Sequence, residues 1–540
     1  MKLKNIPINE TGYFNSLICD YVNGVPSVNK FFSHKFDVAS FQSQIDEKKL
    51  SYNSSNREYL VSYLKQAYLN VDNISDSTTN NINLLSLENT FTVTTGHQLN
   101  LFTGPLYFLY KIINTIKICE ELKELYPSNN FVPIYWMASE DHDFLEINHF
   151  TFKGKKVVWN KSNSLKNDQG AVGEFDLNEI QKVFNAFSSQ LDESKASKDI
   201  RLLFKKAYID HDDLASAMFY LVNELFSTFG LVILDANTSS LKKLFVPYMI
   251  AELQDQVSYN NVLSSSKELK ELNYKVQVNP REINLFYKIL HQRNRIIGNE
   301  NGGYSVVDSE VEWTNLQDLI SEIETYPDRF SPNVLLRPLY QEVILPNLCY
   351  VGGGGELSYW LQLKTTFKAH KVSFPILKLR NSALLVTNKQ FKKIENLNLE
   401  FTDLFLDQHS LINYKVRQIS DIDINFSNQI NQLNQIFASL EDLAKNTDAS
   451  FNNAVEAQKI KQLKGLKNLE KRLLKAQKRK LSDHVSRLVG IKNELFLGGG
   501  LQERKLNFSE FHIHTSTQLL SILSDDLEPF SSDFQILLID

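Results

Sequence analysis

The chain has 540 residues, 42% of them hydrophobic and 22% charged, with a formal net charge of −5. That length and apolar share support a large buried core divided among two or three domains, and exclude a disordered chain. The near balance of charge argues against nucleic acid or an anionic membrane as partner, and three scattered cysteines, Cys19, Cys119 and Cys349, exclude a disulfide framework and a thiolate metal site.

In chain order, the N-terminal stretch MKLKNIPINETGYFNSLICDYVNG lacks the unbroken apolar segment of a signal peptide, and no later run of about 18 apolar residues suggests a membrane span, so a cytoplasmic location is expected. Residues 1–90 read as helices and turns covering the first sheet strand, with Asn/Ser-rich loops such as 72–83. From Phe91 to about Val386, the runs FTVTT, VPIYWMA, GLVILDAN, LCYVGGGG and FPILKL alternate with helical segments. Such alternation predicts a doubly wound, mostly parallel α/β sheet, here over residues 1–386. Two polar insertions, about 151–210 and 258–330, are expected to fold as small attachments at the strand ends; the second carries a basic stretch, 287–297.

Residues 387–497 change character. Apolar residues fall at helical spacing in two stripes: Phe426, Ile430, Leu433, Phe437, Leu440 and Leu443, then Leu466, Leu469, Leu473, Ala476, Val485 and Leu488. The polar segment NTDASFNN separates them, which predicts an antiparallel coiled-coil hairpin. Two arms of roughly 35 residues would reach on the order of 50 Å. The second arm is basic from Lys459 to Lys480; the expectation is a solvated flank pairing with acids such as Glu441 and Asp442, not a nucleic-acid surface. Residues 498–540 are expected to return to the core.

Chemistry concentrates where strands end, because loops and helix N-termini converge at the carboxyl ends of parallel strands. Thr95, Gly96, His97 and Gln98 follow the first strand, and Gly104 and Pro105 precede a helix, so this loop is a candidate anion site. The second strand spills into Glu140, Asp141, His142 and Asp143, four consecutive ionisable groups that repel one another unless a cation, an amine or sugar hydroxyls relieve them. His142 beside carboxylates suits acid/base work near neutral pH. In a helix, His142, Glu146 and His149 share a face with metal-ligand spacing, but no further ligand set is evident and no metal is expected. The run Gly352, Gly353, Gly354, Gly355, Glu356 points to close ligand approach, with Glu356 placed to accept a substrate amine and Tyr359 and Trp360 to stack or pack. Asp235 closes a further strand and suits a sugar hydroxyl; Arg380 with Lys378 suits an acid or phosphate.

Taken together, TGHQLNLFTGPLY, YWMASEDHDFLEINH, LLRPLYQEVILPNLCYVGGGGELSYW, PILKLRNS and GGGLQER, spread in this order over most of the chain, closely resemble the bacillithiol biosynthesis cysteine-adding enzymes. The resemblance implies a Rossmann-like core related to class I synthetase and nucleotidyltransferase folds, with connecting insertions and a coiled coil that makes a homodimer. It implies a ligase that joins the cysteine carboxyl group to the amine of glucosaminyl malate in the last step of bacillithiol synthesis. It places Gly96, His97, Gln98, Asp141, His142 and Asp143 around a central pocket with the glycine loop and Glu356 beside it. A second pocket, for ATP or ADP, is implied at the seam of core and coiled coil, involving Leu384, Leu385, Val386, Gln502 and Arg504. No lysine-rich loop of KMSKS type is present, so the use of ATP stays open. Two other readings remain: a nucleotidyltransferase of another pathway, and a coiled-coil scaffold with a vestigial pocket.

Overall fold

Short runs rich in β-branched and aromatic residues, each followed by a helix, build a parallel sheet in the computed structural model, which describes residues 1–69, 71, 73–160, 170–289, 292–515 and 518–539. In chain order the strands are β1 (Lys2–Ile6), β2 (Thr90–His97), β3 (Asn130–Met137), β4 (His149–Phe152), β5 (Lys155–Val158), β6 (Val232–Asp235), β7 (Leu285–Ile289), β8 (Gln292–Gly298), β9 (Tyr304–Val306), β10 (Glu312–Trp313), β11 (Phe330–Pro332), β12 (Asn347–Gly352), β13 (Ile376–Leu379), β14 (Ser382–Val386) and β15 (Phe534–Leu538). The central sheet runs β13-β12-β2-β3-β6, with every pairing parallel. Chain order reverses between β2 and β12, and a crevice opens at such a switch point beyond the strand carboxyl ends.

The central strand β2 is buried along almost its whole length, yet it carries threonines. Their hydroxyls are satisfied within the sheet. Thr92 and Thr94 donate to Asn347 Oδ1 at 3.2 and 2.9 Å, and Thr95 donates to the Val351 carbonyl at 2.8 Å. Asn347 in turn donates to Glu342 at 2.6 Å, and the buried Lys48 completes the chain at 3.0 Å. The helix Tyr107–Leu125 packs across β2 and β3.

Between β2 and that helix the backbone is held in a rare conformation: Phe102, Thr103 and Gly104 all have positive φ, at 48°, 66° and 63°. Asn507 Nδ2 clamps the turn by donating to the Phe102 and Gly104 carbonyls, each at 2.7 Å. At Gly104 a Cβ would lie 2.7 Å from Asn100 Cβ, on a backbone that side chains rarely adopt. Gly104→Ala is therefore expected to destabilise the protein by about 1–3 kcal/mol in urea unfolding; an unchanged midpoint would show that the turn relaxes freely.

Two compact units emerge: Met1–Leu385 with Gln502–Asp540, and Val386–Leu501. In the first unit, the insertion after β3 forms the β4–β5 hairpin and helices Ile180–Ser188 and Lys195–Tyr208; its residues 161–169 lie outside the described residues. The second insertion forms the sheet β10-β9-β8-β7-β11, and residues 290 and 291 of the basic stretch likewise lie outside the description. The Asn/Ser-rich segment expected as a loop at 72–83, of which residue 72 is not described, is helical over Asp76–Leu84. Ser75 caps that helix by accepting the Thr78 N–H, so the polar residues serve a cap rather than a loop.

In the second unit the hairpin is shorter on one side than expected. Helices Ser427–Ala444 and Ala449–Lys480 have 18 and 32 residues, and a third, Ser482–Leu495, follows. Phe437, Ala444 and Val455 form the buried seam with Leu433 and Leu440 packed on it. Leu443 and Leu469 leave the expected stripes, at 63% and 51% exposed. The 3,4 spacing that joins Phe437 and Leu440 continues at Ala444, which turns Leu443 outward, and Leu469 lies past the reach of the shorter arm. Lys459 meets Glu441 at 2.8 Å and Arg417 meets Glu470 at 2.8 Å, so part of the basic arm is paired within its own unit. No helix among the described residues is long and apolar enough to cross a membrane.

Candidate functional site

A cavity of about 630 Å³ opens at the carboxyl ends of β2, β3 and β12. It brings together Gly96, His97 and Gln98 from the first loop, Glu140, Asp141 and His142 from the second, Gly353, Gly354, Gly355, Glu356 and Tyr359 from the third, and Arg380 from the end of β13. The register explains the meeting: His97 pairs with Met137, and Tyr350 with Thr94, so the three strands end at one level.

The acidic run, read in sequence as four mutually repelling groups in need of a ligand, is relieved by the protein itself, each member by a different partner. Glu140 forms an ion pair with the buried Lys242. Burial alone would raise the Glu140 carboxyl, but Lys242 and Lys288 outweigh it and hold it below the usual range; burial lowers Lys242 to about 8. Asp141 accepts from Gln98 Nε2 at 2.6 Å, and the same amide reaches Glu146 at 2.9 Å, tying two carboxylates into one wall. His142 faces Arg293, whose Nη1 lies 2.9 Å from Nδ1. Asp143 turns away from the cavity and caps the helix Phe144–Ile147 by accepting the Glu146 N–H. That helix is one turn long and His149 lies in β4, so the helical face suggested for His142, Glu146 and His149 does not form; among the described residues no group of three potential ligands clusters.

Glu356 departs from its expected role. It accepts from Lys111 Nζ at 2.9 and 2.7 Å, from the Tyr350 hydroxyl at 2.8 Å and from the Gly353 N–H at 2.7 Å. A substrate amine would have to displace a buried lysine. Burial opposes its charge, but Lys111 prevails and takes the carboxyl down to about 2. Packing accounts for Gly352, where a Cβ would lie 2.7 Å from Leu357 Cδ1, whereas Gly355 has open space around it. His97 is neutral across the physiological range: burial, reinforced by Lys111, lowers it to about 3. Its Nε2 is buried without a hydrogen-bond partner among the described residues, as is Nε of Arg380 in the same cavity.

Several sequence candidates lie elsewhere. Thr95 and Gly104 are structural, as above. Asp235 lines a separate hollow of about 570 Å³ with Tyr63, His211 and Phe219, and its carboxylate accepts from Ser139 Oγ at 2.5 Å. Lys378 is buried with Nζ on the Ser531 carbonyl at 2.5 Å, away from Arg380 and the cavity. Trp360 is core, stacked on Tyr350. Leu384 and Leu385 are buried in β14, and the Gln502 amide is engaged by the Leu385 N–H at 2.9 Å and carbonyl at 3.0 Å. Val386 is buried and falls in the helical unit. Arg504 lines the central cavity, and Arg380 is held by Glu503 at 2.7 Å.

The residues missed in sequence are cations. Arg281, Arg293 and Arg337 join Arg380 and Arg504 around the cavity, with Lys111 behind it. Arg337 reaches Gln341 at 3.1 Å and the Tyr359 hydroxyl at 3.4 Å, and its guanidinium sits 5.6 Å from the Tyr350 ring centre. The available signal was Lys111 itself: a lysine inside the apolar helix YFLYKIINTIK is not buried without a fixed partner. The cavity thus sets the half-buried Asp141 and the exposed Glu146 against a rim of arginines, an arrangement able to bind an anionic molecule and take a proton from it.

Two family models match the chain: "Bacillithiol biosynthesis BshC, N-terminal Rossmann-like domain" over residues 1–381, and "Bacillithiol biosynthesis BshC, C-terminal coiled-coil domain" over residues 383–539. A relative from Christiangramia forsetii, named "Putative cysteine ligase BshC", is 49% identical over 529 residues, 98% of this chain and 97% of its own. A relative of the same name from Bacillus mycoides is 28% identical, covering 94% of each chain. Among solved structures, an arginyl-tRNA synthetase from Plasmodium falciparum aligns over 87% of this chain and 82% of its own at 10% identity with a TM-score of 0.20, too loose a likeness to bear on the fold.

Proposed function

Because the chain belongs to the bacillithiol biosynthesis BshC family, we propose that it is a ligase forming an amide between the carboxyl group of cysteine and the amine of glucosaminyl malate. The observation that carries this reading is the single cavity in which Asp141 and Glu146, joined by Gln98, face Arg281, Arg293, Arg337, Arg380 and Arg504.

Amide formation in water needs a deprotonated amine, an activated carboxyl carbon and exclusion of competing water. The malate part of the acceptor carries two carboxylates, and planar guanidinium groups recognise carboxylates through paired hydrogen bonds. Of that rim, Arg281, Arg337 and Arg504 suit that end of the acceptor. The sugar amine then lies toward Asp141, which takes its proton. The Lys111–Glu356 pair fixes the glycine loop behind the reacting centre and takes no part in proton transfer, since Glu356 is charged throughout the working range. ATP is the proposed activator of the cysteine carboxyl. The exposed apolar residues of the helical unit, Ile436, Leu443 and Ile460 among them, are the surface we assign to a second copy of the chain.

The direct test is mass-spectrometric detection of the cysteinyl product after incubating the protein with cysteine and glucosaminyl malate, with and without ATP. Product of the amide mass, dependent on both substrates, is expected. Pyrophosphate release without that product would instead favour a nucleotidyltransferase of another pathway.

A further inference from the structure

We propose that His142 acts in the ligation as a neutral hydrogen-bond donor through Nε2–H, held in that tautomer by Arg293, and that proton abstraction falls to Asp141. The proposal rests on the ligase reading above and assigns roles within its site.

The geometry starts from Arg293, contributed by β8 of the second insertion. Its guanidinium is buried and fixed in three directions: Nε donates to Ser331 Oγ at 2.9 Å, Nη2 to the Pro332 carbonyl at 2.9 Å, and the plane lies 4.1 Å from the Phe286 ring centre. The remaining nitrogen, Nη1, is 2.9 Å from His142 Nδ1. A guanidinium has only donors, so Nδ1 must accept, and an imidazole whose Nδ1 lone pair is engaged carries its proton on Nε2.

The charges around the ring agree. Burial and the Arg293 cation lower the basicity of His142, against Asp141 and Asp143, which raise it; the net direction is down. Asp141 Oδ1 stands 3.7 Å from Nδ1, on the side Arg293 already occupies. Nε2 has no hydrogen-bond partner among the described residues, and the ring lines the cavity. A histidine so held has no lone pair to offer a substrate ammonium. It has an N–H to offer an oxygen.

The step balances without it as base. The substrate ammonium gives its proton to the Asp141 carboxylate. The freed nitrogen lone pair forms the C–N bond at the carbonyl carbon of a cysteinyl mixed anhydride made from ATP. The C–O bond to phosphate breaks, the phosphate leaves with that electron pair, and the second proton on the newly bonded nitrogen passes to the departing phosphate, leaving the neutral amide. His142 Nε2–H donates to the carbonyl oxygen while charge gathers there, as donors of an oxyanion hole do.

The test compares His142→Gln with His142→Ala. Glutamine places an amide N–H close to the position of Nε2 but has no basic lone pair. The expected result is that H142Q keeps at least about a tenth of kcat while H142A loses about 10²–10³-fold, the usual cost of one such donor. The acid limb of kcat/KM should be the same in wild type and H142Q. Arg293→Met should lower kcat with little change in KM and add nothing in the H142Q background, as befits a positioning residue. Equal inactivity of H142Q and H142A, or an acid limb near pH 6–7 that disappears in H142Q, would overturn the donor role. Nitrogen-15 NMR of labelled histidine, assigned by difference against H142Q, reads the tautomer without substrate: Nε2–H from pH 6 to 8 in wild type supports the lock, and an Nδ1–H form overturns it. Failure of wild type to ligate at all would overturn the ligase reading and with it the donor role, while the NMR result would still judge the Arg293 lock by itself.

Discussion

Asp141→Asn is expected to lower kcat for cysteine ligation by about 10²–10⁴ while leaving the fold intact, the range by which a positioned general base speeds a reaction. Asn preserves the shape of the side chain and its acceptance of the His142 N–H, which lies 2.7 Å from Oδ1. It removes the anion that takes the proton. Asp141 is half-buried, lines the cavity and is oriented by Gln98, whereas Glu146 on the same clamp is exposed. Glu146→Gln should therefore cost much less, and the contrast between the two isosteric changes identifies the base. Full activity in Asp141→Asn, at unchanged substrate affinity, would remove this carboxylate from the mechanism.

The strands and the place where they end were legible in the sequence because both follow from local rules. β-branched and aromatic runs such as FTVTT and VPIYWMA form strands, and reactive side chains just beyond them fall at one end of a parallel sheet. What was not legible is pairing across long stretches of chain. Glu356 looked like a free acceptor until Lys111, 245 residues earlier, was found on it. Glu140 looked like part of a repelling cluster until Lys242 was placed beside it. Arg293 looked like one member of a basic stretch, and only the antiparallel sheet of the second insertion aims it at His142. Periodicity fixes which face of an element is buried; it carries no information about which distant charge will be met there. The hairpin shows the same limit: its apolar spacing predicted two helices, but their lengths depended on where polar breaks fell.

Lys111→Met is expected to destabilise the protein by about 3–5 kcal/mol, because it leaves the Glu356 carboxylate without its partner in a largely buried site. Lys111 is 1% exposed and also donates to the Gly96 carbonyl at 2.5 Å, so the loss opens both strand ends at the cavity floor. Chemical denaturation should show it directly. The pH dependence carries a second signature. Glu356 has a folded-state value near 2, below its ordinary 4.5, so it stabilises the fold above the ordinary value and that contribution is lost as pH falls from about 4.5 toward 2. In Lys111→Met that acid-range loss should largely vanish. Lys111→Met with Glu356→Leu should recover part of the stability, since removing both charges leaves no orphan. Unchanged stability in the single variant would mean that solvent reaches Glu356 freely.

The strand β15 pairs antiparallel with β1, and Glu503, which holds Arg380, belongs to the same returning segment. During synthesis the ribosome therefore delivers every residue of the helical unit before the α/β unit can close its own edge. A chain released before Glu503 is added leaves β1 without its partner strand and Arg380 without its carboxylate. Loss of the returning segment alone should accordingly bare the edge of β1 and loosen Arg380 at the cavity.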